Sequence, residues 1–111
     1  MAYTPVIRLA GLTTKVAVTA TASTPVVIKT NTNNQIDYAS FLNVGTKPCA
    51  VSISPVSAEA TFPGASAGSF VLPASMTYPV VIAVPARNFY VSAICDGTDT
   101  TTLYVTPVED Q

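Results

Sequence analysis

Six carboxylates, five cations and two cysteines make up most of the ionisable side chains of this 111-residue chain, which contains no histidine. Without imidazole, neither a Ser-His-Asp triad nor a Cys-His pair can be assembled, and the commonest general base is missing. The imidazole ligands of copper and of most zinc sites are missing too, which excludes a copper-carrying cupredoxin. Cys49 and Cys95 alone are too few for a zinc site. The acids are Asp37, Glu59, Asp96, Asp99, Glu109 and Asp110. A glycosidase needs two such groups held across a sugar cleft, and a short chain without tryptophan is a poor frame for one. DGTD at 96–99 brings two carboxylates close enough to suggest calcium. A calcium loop usually carries more acids, so the expected reading is a hairpin turn, with Asp96 and Gly97 at its tight positions and Asp99 closing it. The amides of TNTNNQ, 30–35, serve turn geometry most often, and no phosphate-cradling glycine pattern occurs. The expectation is no catalytic residue, no cofactor, no metal and no small-molecule substrate.

Hydrophobic residues form 49% of the chain and charged residues only 10%, against roughly 25% charge in ordinary soluble domains. Such a composition hides surface in partners. No run approaches the roughly 18 to 20 apolar residues of a spanning helix, so no membrane is expected. MAYTPVIRLAG lacks the pattern of a signal peptide, and the expected compartment is a cytoplasm. There the two cysteines are expected as buried free thiols. Arg8, Lys15, Lys29, Lys47 and Arg87 stand singly, giving no basic stripe for a nucleic acid.

Any working surface must be positioned by strands. Alternation of period two marks KVAVTATA (15–22), with Val16, Val18 and Ala20 on one face, and PVVIKT, with Val26 and Ile28 opposed to Lys29. PCAVSIS sets Cys49, Val51 and Ile53 against Ala50, Ser52 and Ser54. VIRL, IDYASFLNV, SFVLP, YPVVIAV, NFYVSAIC and TTLYVTPV are apolar on both faces or irregular, and a second apolar face needs a cover. Asn, Asp, Gly and Pro clusters separate these runs at a spacing of about 8 to 12 residues, which suits a sandwich or small barrel. The best helical candidate is a single turn in SAEAT (57–61). The pattern therefore implies one all-β domain over residues 1–111. It is a two-sheet antiparallel sandwich of about eight or nine strands, jelly-roll or Ig-like.

Phe62 and Pro63, and Met76 and Tyr78, fall in or beside loops, where a sheet core does not need apolar groups. They read either as an interaction surface or as plugs at the ends of the sandwich.

Three stretches together carry a family resemblance: IDYASFLNVGTKPCAVSIS, SFVLPASMTYPVVIAVPARNFYVSAIC and GTDTTTLYVTPVEDQ. In order they present an N-x-G-x-x-P turn, an LPA segment, an aromatic strand and a closing TLYVTP-E strand. Over residues 25–111 the chain resembles the small capsid decoration, or cement, proteins of tailed bacteriophages. The resemblance implies a non-enzymatic protein, made in a host bacterial cytoplasm, that binds the outside of the capsid and bridges major capsid subunits as a homodimer or homotrimer. Residues 1–10 then read as an interacting arm, with Ala2, Tyr3, Thr4, Pro5, Val6, Ile7, Arg8 and Leu9 adding to a neighbour's sheet edge, and the loop from Phe62 to Ser69 as a second contact. A phage neck, tail or fibre-base component shares this composition, and a carbohydrate-binding or adhesin module is the other rival.

Overall fold

The computed structural model describes residues 7–29, 37–64, 67–85 and 88–110. Among them nine strands follow in order: β1 Ile7–Leu9, β2 Thr14–Val18, β3 Val26–Lys29, β4 Asp37–Asn43, β5 Cys49–Ser54, β6 Phe70–Leu72, β7 Val80–Val84, β8 Asn88–Cys95 and β9 Thr101–Asp110. Each apolar run of the sequence became a strand. The turn expected in SAEAT is not helical; Ser57–Thr61 is irregular, because it lies across a sheet rather than standing free.

All pairings are antiparallel. One sheet runs β1-β9-β4-β7 with β2 also on β9, and the other runs β3-β8-β5-β6. β1 and β2 share one edge of β9, so they are a single interrupted strand. The chain then changes sheet at nearly every connection. This order is that of a jelly roll. An Ig-like sandwich would pair its last two strands as neighbours, whereas here β8 and β9 lie in different sheets. The expected hairpin at DGTD is thus a crossover, because the exposed turn is compatible with either path. Asp99 N donates to Asp96 O at 3.0 Å, and the central residues are Gly97, at φ 59°, and Thr98.

The break between β1 and β2 has a local cause. Leu9 faces Val108 and Thr14 faces Val105, so the β1–β2 side carries two residues more than β9 over this interval. Pro107 lies there. It has no N–H to give the neighbouring strand, so the ladder cannot pass it unbroken; its carbonyl is met by Ala10 N at 2.8 Å. The extra residues loop past its ring, and Gly11 must be glycine, because a Cβ would stand 2.6 Å from Pro107 Cγ. β2 also ends earlier than the alternation suggested, at Val18. Thr19 and Thr21 form a side-chain turn, and Thr19 O accepts Cys95 N on the other sheet.

The inward faces bury Val16 and Val18, Ala39 and Phe41, Cys49 and Val51, Phe89 and Val91, Leu103 and Val105. Phe41 and Phe89 are fully buried, and burying each contributes about 1.5–3 kcal/mol.

At the end of β4, the fully buried Asn43 organises three loops. Its Oδ1 accepts from Thr101 Oγ1 at 2.6 Å and Gly45 N at 3.2 Å. Its Nδ2 donates to Lys47 O at 2.9 Å and Pro73 O at 3.0 Å. The amide's hydrogen-bonding capacity is thereby used, and the NVGTKP turn, the start of β9 and the β6–β7 connection are tied to one side chain.

Candidate interaction surface

The described acids do not converge. Among the described residues no group of three His, Cys, Asp or Glu side chains is arranged to hold a metal, and Asp99 stands 4.0 Å from Lys47 in an exposed ion pair. Cys49 and Cys95 face each other across the β5–β8 ladder as buried free thiols. Burial, and secondarily the neighbouring Cys95, push the Cys49 thiol up to about 12, so it is a poor nucleophile at neutral pH. The TNTNNQ amides lie outside the described residues.

The two outer faces differ. On the β3-β8-β5-β6 sheet, the long β5–β6 connection folds across the central strands β8 and β5, while Val27 and Val71 on the edge strands stay exposed. Ser92, which points outward from β8, is completely buried; its Oγ accepts Ala60 N at 3.1 Å and donates to Ser23 O at 2.7 Å. The connection closes on itself where Ser69 N donates to Thr61 O at 2.7 Å. It is held tight at Gly68, whose Cβ would lie 2.5 Å from Pro63 N.

Among the described residues no comparable segment lies across the other sheet. Residues opposite the core on β2, β9, β4 and β7 form rows fixed by register. Leu9, Val108, Tyr38 and Ala83 stand side by side. Lys15, Tyr104 and Leu42 form another row, and Thr106, Ser40 and Val81 a third, with Thr106 bonded to Thr13 through their hydroxyls at 2.7 Å. Leu9 is 75% exposed and Val81 41%, whereas Tyr38, Leu42 and Tyr104 are half-buried and Val108 is buried. Lys15 is the one charge among the described side chains of this face. The apolar second faces noticed in the sequence are therefore partly resolved within the chain and partly left open.

The expected contact residues do not gather into one patch. Ala2–Val6 lie outside the described residues. Ile7–Leu9 form β1, paired with Val108–Asp110 of the same chain. Tyr78 is 82% exposed at the opposite edge, just before β7. Phe62 and Pro63 are half-buried in the connection over the other sheet. Met76 packs against the core, and its Sδ accepts Asn43 N at 3.4 Å. Tyr38, Leu42, Val81 and Tyr104 were missed as surface. Their signal was the both-faces-apolar pattern, which reveals an uncovered face only once register is known.

No family model matches the chain, and no curated protein or solved structure matches it either.

Proposed function

We propose that this chain is a non-enzymatic structural protein of a phage virion, which binds the outside of the capsid and stabilises it by bridging major capsid subunits. The observation that carries the reading is the outer face of the β1/β2-β9-β4-β7 sheet, where exposed Leu9 and Val81 and half-buried Tyr38, Leu42 and Tyr104 stand with a single described charge. Apolar side chains gathered on one sheet face mark association. The resemblance of residues 25–111 to decoration proteins supplies the kind of partner, and the jelly roll supplies a sheet face to brace it.

The mechanism needs no chemistry. A protein that binds the assembled lattice and not its free subunits stabilises the lattice by mass action, and a symmetric shell repeats the same contact many times. The test is to purify intact particles and count copies of this chain in each. Copy numbers on the order of hundreds fit a shell position; about a dozen or fewer would point to a neck or tail part, and none would overturn the reading.

A further inference from the structure

Among the described residues β7 is an edge strand with no neighbour on its outer side, and this edge is the most specific feature of the surface. Met76 N donates to Asn43 O and Val44 N donates to Thr102 O, so on β4 the odd-numbered residues turn their backbone groups toward β7 and the even-numbered ones toward β9. Through the register Asp37↔Val84, Ala39↔Ile82 and Phe41↔Val80, β7 spends the groups of Val80, Ile82 and Val84 on β4. The N–H and C=O of Val81 and Ala83 therefore point away from the sheet, because alternate residues of a strand bond to opposite sides. Pro79 and Pro85 follow on the same outward side. They have no N–H, and they bracket this two-residue edge.

We propose that β7 pairs with β7 of a second copy, antiparallel, about a two-fold axis through Ile82. The self-pairing follows from the edge itself. An antiparallel two-fold contact matches a patch with itself, and here Val81 meets Ala83 of the other copy and Ala83 meets its Val81, so that every outward donor finds an outward acceptor. Pro79 then stands opposite Pro85 of the second copy, where neither is asked for a hydrogen bond. Shifting the register by two residues sets a proline ring against a carbonyl and draws on residues outside the strand. The prolines thus allow one closed pair and stop the ladder from lengthening, which is how an apolar edge is kept from aggregating.

The surroundings fit a second copy. Gly11 approaches Lys29 O, which places the β1/β2 edge over β3 and hence, by the sheet orders, the β7 edge over β6. Phe70 is 52% exposed and Val71 40% on that β6 edge, with Val81 and Tyr78 on the β7 side. A groove of about 340 Å³ is lined by Ser69, Phe70 and the Val51–Ile53 stretch of β5, beyond whose Val51 β6 is too short to pair. The pairing names the self-association of the virion protein proposed above, but it does not require a capsid. A failed dimer and a failed capsid binding are separate results.

The full-length chain is measured by analytical ultracentrifugation at micromolar concentration, beside Ala83→Pro. That substitution removes an outward N–H and leaves the β4–β7 ladder intact. The wild type is expected to sediment as a dimer and the variant as a monomer with an unchanged circular dichroism spectrum. A variant that misfolds is bypassed by mixing Val81→Cys with Ala83→Cys under mild oxidation. Hydrogen-bonded cross-strand pairs sit about 5.5 Å apart at Cα, within disulfide range, so the mixture should cross-link while either variant alone does not. A monomeric wild type, a dimer that survives Ala83→Pro, or equal cross-linking of single variants and mixture overturns the proposal. So does a monomer whose β7 captures only strands of another protein.

Discussion

Thr101 donates its hydroxyl hydrogen to Oδ1 of Asn43 at 2.6 Å, across 58 residues of chain, and both side chains are buried. The bond joins the end of β4 to the start of β9, while the same amide holds the carbonyls of Lys47 and Pro73. Asn43→Leu leaves these carbonyls and the Thr101 hydroxyl without a partner. At roughly 1–3 kcal/mol per buried orphan, a loss of about 3 kcal/mol is expected. Thr101→Val leaves Oδ1 still bonded to Gly45 N and should cost only about 1 kcal/mol. Urea midpoints of the two variants check the ranking, and equal losses would show that Asn43 is not the hub.

The glycines should separate by mechanism. At Gly45 a Cβ would fall on the Thr101 side chain, 2.8 Å from its Cβ and 2.9 Å from its Cα; backbone has to move, and Gly45→Ala is expected to lose about 3 kcal/mol. Gly97 has open space but φ +59°, so Gly97→Ala should cost about 1 kcal/mol through conformation alone. Gly64 has neither constraint, and Gly64→Ala serves as a near-neutral reference. Thermal melts of the three give the order, and a Gly45 variant as stable as the Gly64 one would contradict the close approach.

Most strands were legible because half-burial imposes a period of two that CAVSIS and VVIK display directly. What was not legible is which strands pair. DGTD is a tight turn in the sequence and in the fold, yet nothing local tells a hairpin from a crossing between sheets; that choice is made by β5 and β4, which claim β8 and β9 separately. The interruption at Pro107 shows the same limit, since a proline within TTLYVTPV weakens a ladder but does not say which neighbour yields. Loop position misled at Met76, whose thioether turns inward to Asn43. The outer apolar face was foreseen as a surplus and could not be located without register.

Ser92 is a serine where the strand's outward face ought to meet solvent, and its burial under the β5–β6 connection gives it structural weight. Its hydroxyl serves Ala60 N and Ser23 O together, clamping one crossing segment on each side of β8. Ser92→Ala should leave Ala60 N–H buried and unpaired, a loss of about 1–3 kcal/mol. The connection should also open before the sheets do. Hydrogen exchange reads this directly: protection at Ala60 should fall while protection along β8 and β5 persists. Uniform loss across the protein would place the bond in the global fold instead.

Cys49 predicts a stability change on the alkaline side. Its thiol ordinarily ionises at 9.0 and in the folded chain is pushed up to about 12, chiefly by burial and then by the adjacent Cys95; Cys95 is raised as well, again mainly by burial. The folded state thus holds the proton more tightly than the unfolded chain does. This contribution is fully present below pH 9, declines as the unfolded thiol begins to ionise, and is lost as pH climbs to about 12. Cys49→Ala removes the titrating group and leaves the tyrosines and lysines unchanged. Wild type should therefore be the more stable protein near neutrality, because the substitution leaves a small cavity costing about 1 kcal/mol. The difference in urea midpoint should then shrink steadily between about pH 8.5 and 10.5. A difference that stays constant over that range would mean that the β5–β8 thiols are hydrated in the folded protein, against their burial in the core.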